Sequence, residues 1–302
     1  MKRNDTMQHL PPRRIAAIHD LSCVGRCALT VVMPTLSVMG YQTVPVPTAL
    51  LSSHTGGFTD LHFRDLTDDM DRIGAHFERL DLRFGAIYTG FLGSEEQISS
   101  VERIIGLFGA RADETGQEPL ILVDPVMGDD GVLYSTYNEE LVDGIRHLSS
   151  YAEVLTPNLT EACLLTRTPY TDTAECPIDE ARAFANGLLD RLRESVCPHA
   201  RIVITGVHLA GGEVANFGLD ADDTRFCVSR PHRGHAYPGT GDIFASVLLG
   251  ALLDGDSFEA ACARAADFTG LLIEESSKID TPARMGVALE SYLHLLILKR
   301  EE

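Results

Sequence analysis

Residues 235–249 read His235-Ala236-Tyr237-Pro238-Gly239-Thr240-Gly241-Asp242-Ile243-Phe244-Ala245-Ser246-Val247-Leu248-Leu249. Two glycines flank a threonine, and an apolar run follows at once. The pattern predicts a tight turn opening a buried helix, with backbone N–H groups gathered on one side. Those donors, together with the positive end of the helix dipole, make an anion site. Asp242 then stands in the first helical turn, beside the anion. A carboxylate there repels a simple phosphate ligand. It makes chemical sense if it takes a proton from a hydroxyl that attacks a phosphoryl group. The plainer alternative is that Asp242 caps the helix and the glycines only shape the turn.

Around this turn the chain alternates between short β-rich runs and helical stretches. Expected strands are Ile15–His19, Thr43–Pro47, Ala86–Thr89, Leu120–Val123, Glu153–Leu155 and Arg201–Thr205. Several are apolar almost throughout, as strands buried on both faces of a parallel sheet should be. Expected helices include Ser94–Phe108 and Asp179–Arg193. In the second, Ala183, Phe184, Leu188 and Leu192 recur at helical spacing. Strands alternating with helices predict an α/β fold with a mainly parallel sheet covered on both faces. Gly211–Ser229 reads differently, as an antiparallel hairpin at the sheet edge. A long helical run is expected from Gly241 to the C-terminus, broken near Asp254–Ser257 and Ile279–Pro282, with Tyr292–Leu298 as a packing helix.

Composition narrows the function classes. The chain has 302 residues, 44% of them hydrophobic, and 25 Lys+Arg against 44 Asp+Glu give a formal charge of −19. Disordered chains are poorer in apolar residues, and nucleic-acid binders are usually basic. The first residues are charged and lack an apolar h-region, so no signal peptide is expected. The apolar stretch Ile243–Leu253 is too short to span a bilayer. Seven scattered cysteines suit free thiols in a reducing compartment, so a cytoplasmic location is expected. P-loop, dinucleotide, Gly-x-Ser-x-Gly and His-Glu-x-x-His motifs are all missing.

Four further segments carry polar chemistry at expected strand ends, where ligands of open α/β sheets gather. Asp124-Pro125-Val126-Met127-Gly128-Asp129-Asp130-Gly131 follows one strand, and Thr156-Pro157-Asn158-Leu159-Thr160-Glu161 follows another. Asp124 and Glu161 are hard oxygen ligands suited to Mg²⁺. The alternative is that Asn158 or Thr160 caps the next helix and Glu161 is first-turn charge. Ile18–Arg26 and Pro47–Gly57 are rich in hydrogen-bonding side chains and could line a pocket for a small polar heteroaromatic. Arg225–Pro238 holds three arginines, two histidines and no acid. A basic patch just before the anion loop suits a polyphosphate.

Taken together, Gly239-Thr240-Gly241-Asp242, Asp124-Pro125-Val126-Met127-Gly128, Thr156-Pro157-Asn158-Leu159-Thr160-Glu161 and Gly90-Phe91-Leu92-Gly93-Ser94 resemble the ribokinase superfamily. Within it, the chain is similar to the pyridoxal/pyridoxamine (vitamin B6) kinases, in matching order from about Arg14 to Leu272. The resemblance implies a ribokinase-like three-layer α/β/α fold over residues 15–302, after a short flexible tail at 1–14. It implies ATP-dependent phosphorylation of the 5′-hydroxymethyl group of pyridoxal, pyridoxamine or pyridoxine, with Mg²⁺ and, as a further candidate, a monovalent cation. Asp242 would be the catalytic base, and the N–H groups of Gly239, Thr240 and Gly241 the anion hole. Asp124, Glu161 and Tyr134 would lie near the metal. Asp124, Thr156, Glu161, Thr205, Arg230, Gly239 and Gly241 would face the nucleotide. Asp20, Thr48, His54 and Phe91 would line the vitamin pocket. A homodimer is the family habit, and exposed apolar positions in Leu29–Met39 are candidates for its interface.

The sequence departs from the family at Asp20, where a serine is common. An aspartate there could instead pair with a protonated ring nitrogen. Some members carry a lysine where this chain has Thr205-Gly206, which leaves Arg225, Arg230 or Arg233 to neutralise phosphate. Two other readings stand beside the vitamin kinase. One is a hydroxymethylpyrimidine kinase, although those usually read Gly-x-Gly-Cys where this chain has Asp242. The other is a binding protein that keeps the fold without turnover.

Overall fold

The computed structural model describes residues 12–297. Most of the tail expected at 1–14 lies outside the described residues. Arg14, at its end, is already the first residue of strand β1 (Arg14–Ser22), where it pairs with Gln42. β1 is buried almost throughout, and its side chains alternate between two cores. Ile15 and Ala17 face one cluster, Ala16 and Ile18 the other. Such two-sided burial is what a central parallel strand requires.

On one side of β1 lies β2 (Gln42–Leu51), edged by the antiparallel β3 (Phe63–Asp65). On the other side, β4 (Ala86–Thr89), β5 (Leu120–Val123), β8 (Val154–Leu155) and β9 (Arg201–Leu209) continue in parallel. The antiparallel β10 (Glu213–Leu219) and β11 (Arg225–Pro231) complete a nine-stranded sheet ordered β11-β10-β9-β8-β5-β4-β1-β2-β3. The chain leaves β1 in one direction and returns on its far side. This reversal of strand order opens a crevice beyond the strand ends, the usual ligand position in such sheets. A separate small hairpin joins β6 (Gly128–Asp129) to β7 (Val132–Leu133).

Helices cover both faces. α1 (Leu29–Val38), α7 (Thr240–Asp254) and α8 (Phe258–Ser276) build the core on one face. α2 (Thr67–Arg79), α3 (Glu95–Phe108), α4 (Glu139–Leu148), α5 (Leu159–Thr166) and α6 (Ile178–Ser195) build the other. α7 is buried without interruption from Ile243 to Ala251, as its unbroken apolar run predicts. The layers, the parallel sheet and the edge hairpin are the α/β arrangement expected from the sequence.

Three features depart from the sequence reading. The short strands β3, β6 and β7 carry no alternating pattern, because β3 is exposed at all three residues and the others are two residues long. The β6–β7 turn is nonetheless encoded, since Asp130 and Gly131 both adopt positive φ, as a two-residue hairpin turn requires. Tyr292–Leu298 is not an α-helix. Leu293–Leu296 is a single 3₁₀ turn that seats buried Leu296 near α1, and Leu298 lies outside the described residues. Leucines three apart fall on one face of a 3₁₀ turn. Finally, Leu29, Val31, Val32, Leu36 and Met39 are core residues rather than an exposed apolar face, leaving Met33 partly exposed. Among the described residues no helix is long and apolar enough to cross a membrane.

Asn158 ties this frame to the strand ends. Its side chain accepts the Glu161 N–H at 2.9 Å, while the Glu161 carboxylate accepts the Asn158 N–H at 2.8 Å. Its amide also donates to the Gly128 carbonyl at 2.8 Å, anchoring the small hairpin. Asn158→Ala removes the cap and the anchor, so a loss of about 1–2 kcal/mol in denaturant unfolding is expected. An unchanged midpoint would show that neither bond holds α5 in place.

Candidate active site

Gly239 caps α7 in a left-handed conformation (φ 79°). A side chain there would also overlap the Arg26 carbonyl, so the glycine loop packs directly on the β1–α1 turn. Thr240 fixes the loop from inside, its hydroxyl donating to the Tyr237 carbonyl at 3.0 Å. Asp242 follows in the first turn, but it does not cap its own helix. Its Oδ2 accepts the N–H of Ala28 at 2.8 Å, and Ala28 is the N-cap of α1. Ala28 has positive φ and no capping side chain, so α7 supplies the carboxylate that α1 lacks. The residue sits partly exposed at the crevice. Burial pushes its carboxyl up to about 7, against the pull of the Ala28 N–H, and nearby Asp20 adds to the rise.

Two more acids stand beyond β5 and β8. Asp124 is buried, and its Oδ1 accepts the Thr156 hydroxyl at 3.1 Å. Burial and then Asp242 push its carboxyl up to about 8. Glu161 is buried too, and both its oxygens are engaged, by Met127 N–H at 3.1 Å and Asn158 N–H at 2.8 Å. These bonds hold the Asp124–Gly128 loop against α5, and Asn158 caps that helix as the alternative of the sequence reading had it. Burial, and next Asp124, raise the Glu161 carboxyl as well. Tyr134 leaves the small hairpin beside these acids. Its phenol is raised by burial and by Glu161, Asp129, Asp242 and Asp124 in turn. Among the described residues no three His, Cys, Asp or Glu side chains form a metal cage.

Around β1 the expected pocket residues divide by role. Asp20 is buried and accepts the Ser22 hydroxyl at 2.8 Å, and burial raises its carboxyl. It sits opposite an extra residue of β2, where the register slips between His19 and Leu21. Thr48 and His54 are committed within the protein. The Thr48 hydroxyl donates to the Phe91 carbonyl at 3.1 Å and so fixes the turn that carries Phe91. His54 Nδ1 accepts the Gly56 N–H at 3.1 Å, leaving Nε2 to donate to the Arg284 carbonyl at 2.7 Å. Phe91 is partly buried, edge-on to Tyr137.

Thr205, Arg230, Thr240 and Gly241 line one cleft of about 180 Å³ between β9–β11 and α7–α8. The structure thus brings Thr205 of β9 and Arg230 of the edge hairpin to the glycine loop. The basic patch, in contrast, is neutralised. Arg225 pairs with Asp190 of α6, Arg230 with Asp267 of α8 at 2.6 Å, and Arg233 with Glu274 of α8. The acids come from helices remote in sequence, so the stretch Arg225–Pro238 looked bare on its own. Ala28 and His19 had no expected role. Ala28 presents only a backbone N–H, and the side chain of His19 faces inward.

A family profile described as phosphomethylpyrimidine kinase matches residues 25–285. A Bacteroides thetaiotaomicron protein, provisionally named a phosphomethylpyrimidine kinase and solved with pyridoxal, is 38% identical. It superposes with a TM-score of 0.84 over 96% of this chain and 98% of its own. Pyridoxal kinase from Lactobacillus plantarum is 30% identical, with a TM-score of 0.80 over 94% and 96%. The pyridoxine/pyridoxal/pyridoxamine kinase of Bordetella avium is 29% identical over 92% of this chain and 94% of its own length.

The raised carboxyls carry a sign for stability. A carboxyl whose folded pKa lies above its unfolded value weakens the fold as pH rises through the folded pKa. For Asp242 that window runs from its ordinary value to about 7. Asp242→Asn removes the penalty while its amide oxygen still accepts from Ala28. Its thermal midpoint is expected to exceed that of the parent by several degrees near pH 8, on the scale of about 4 kcal/mol. The margin should shrink as pH falls towards about 5. A lower midpoint near pH 8 would show that the carboxylate stabilises the fold.

Proposed function

The chain belongs to the phosphomethylpyrimidine kinase family, and from that premise we propose that it phosphorylates the 5′-hydroxymethyl group of a B6 vitamer with ATP. The observation that carries this reading is Asp242: a largely buried carboxylate tethered by one oxygen, reaching the crevice, and poised near neutrality at the mouth of the glycine loop. A general base works best with a pKa near the working pH. The preference for pyridoxal, pyridoxamine or pyridoxine over the hydroxymethylpyrimidine rests on Asp242, which replaces the cysteine usual in the pyrimidine kinases, and on the names of the relatives.

In this reading the substrate hydroxyl oxygen attacks the terminal phosphorus of ATP. Its proton passes to Asp242, and the bond to the bridging oxygen breaks to release ADP. The N–H groups of Gly239, Thr240 and Gly241 stabilise the transferred charge, and the cleft lined by Thr205 and Arg230 takes the nucleoside side. With Arg225, Arg230 and Arg233 already paired, these backbone donors carry much of the work of holding phosphate.

Magnesium fits the remaining acid. Asp124 is a buried carboxylate without a cationic partner among the described residues, and Mg²⁺ is typically held by one or two carboxylates plus substrate phosphates. Asp124 would hold it, Thr156 orients Asp124, and Glu161 keeps the loop in place. When bound, the ion supplies charge neutralisation for the phosphates. Asp20, beside the register slip, faces the ring and pairs with a protonated ring nitrogen. Phe91 supplies an apolar wall.

The test is ADP release with Mg·ATP and each of pyridoxal, pyridoxamine, pyridoxine and hydroxymethylpyrimidine. Turnover on a B6 vitamer is expected, with kcat in Asp242→Asn lower by about 10²–10⁴-fold and KM nearly unchanged. In the parent protein kcat/KM should fall as pH drops below about 7, as Asp242 gains its proton. Turnover on the pyrimidine alone would reassign the substrate, and an unchanged kcat in the variant would remove the base. Asp20→Ser is expected to alter the relative KM values of the three vitamers. Unchanged ratios would separate Asp20 from the ring nitrogen.

A further inference from the structure

His19 lies within the buried run of β1 and is wholly enclosed, yet neither ring nitrogen has a hydrogen-bond partner. Buried polar atoms in folded proteins are almost always paired, so a doubly orphaned imidazole calls for a reason. Its surroundings supply one. Nδ1 lies 3.7 Å from Oδ1 of Asp242, the oxygen that the Ala28 N–H leaves free. The ring packs edge-on to Tyr88 with centroids 4.3 Å apart, and the Tyr88 hydroxyl donates to the Asp242 carbonyl at 3.4 Å. On the other side Gly90 presses on the ring, and any side chain there would overlap Nδ1 and Cε1. Tyr88 and Gly90 thus restrict how the ring can move or turn.

We propose that His19 is a positioning residue for Asp242: a neutral imidazole, protonated on Nδ1, whose N–H is directed at Oδ1 and holds the carboxylate in one plane. Burial keeps the ring neutral, holding its pKa down to about 3. A neutral ring has one N–H to give, and the carboxylate is the acceptor that Nδ1 faces. The separation is too long for a hydrogen bond in the resting protein, so the effect there is a fixed dipole. A small rotation of the Asp242 side chain closes it. Proton relay is a poor fit, because Nε2 has no partner to hand a proton onward. The proton taken by Asp242 leaves through the crevice instead. The same geometry gives Gly90 its purpose, since its bare α-carbon lets the ring lie beside the acid.

This inference rests on the reading of Asp242 as the base, and its test separates the two. With histidine labelled in nitrogen-15, the His19 ring is expected to give the signature of a neutral ring protonated on Nδ1 from about pH 6 to 8. Its Nδ1 shift should follow the Asp242 titration and lose that dependence in Asp242→Asn. This readout does not depend on turnover. In kinetics, His19→Leu, checked for a cooperative thermal transition, is expected to lower kcat by about 10–100-fold with KM for ATP within about twofold. His19→Asn places an amide nitrogen near the Nδ1 position and should recover most of that loss. An Nε2-protonated ring, a shift blind to Asp242, or equal kcat for Leu and Asn variants would overturn the proposal. An Asp242→Asn enzyme with full kcat would instead overturn the base, leaving the spectroscopic contact to stand or fall alone.

Discussion

One hydrogen bond links the two helices on which the site depends. Asp242 in the first turn of α7 accepts the N–H of Ala28, the N-cap of α1, across 214 positions of sequence. α1 begins without a capping side chain of its own, and α7 begins with glycines that cannot cap anything. The contact completes the first helix and fixes a carboxylate at the second. It also draws the glycine loop against the β1–α1 turn, where Gly239 meets the Arg26 carbonyl too closely for any side chain. The anion loop, the proton acceptor and the end of the central strand therefore form one unit.

Around that unit the protein gathers four acids, Asp20, Asp124, Glu161 and Asp242, each with its carboxyl raised mainly by burial. A fold selected only for stability would disperse them or pair them with arginine. Here Arg230 and Arg233, beside the glycine-loop cleft, are drawn off to Asp267 and Glu274 on α8. A site prepared in this way favours a proton and a cation over a further carboxylate. Phosphate must be received by backbone donors and by the cation that Asp124 attracts. A chain with a formal charge of −19 gives no long-range help to an anionic substrate, so local geometry carries the recognition.

The sequence made some of this legible and hid the rest for definite reasons. Ala86–Thr89 and Leu120–Val123 appear at their expected bounds because strands buried on both faces are continuously apolar. The antiparallel hairpin expected in Gly211–Ser229 was equally plain from its turn residues. Strands without a buried face, such as Phe63–Asp65, leave no periodic trace. Asp124, Glu161, Thr205, Arg230 and Asp242 were recognisable as polar groups at strand and helix ends. Their partners were not, since an acceptor such as Asp190 or a donor such as the Ala28 N–H is brought by tertiary packing. Glu161 shows the limit well. The same residue reads as a metal ligand or as first-turn charge, and only the packing shows its two oxygens accepting the Met127 and Asn158 N–H groups. His19 lay in a quoted motif without a role, because its burial against Gly90 and Tyr88 is a property of the sheet.

The most direct test of this account is a titration of the Asp242 carboxyl itself, by carbon-13 NMR of aspartate-labelled protein free of nucleotide, assigned by its loss in Asp242→Asn. The account requires a midpoint near 7, set by burial against the pull of the Ala28 N–H. A midpoint near the ordinary aspartate value of about 4 would contradict it, because the carboxylate would then be a solvated cap and a weak proton acceptor.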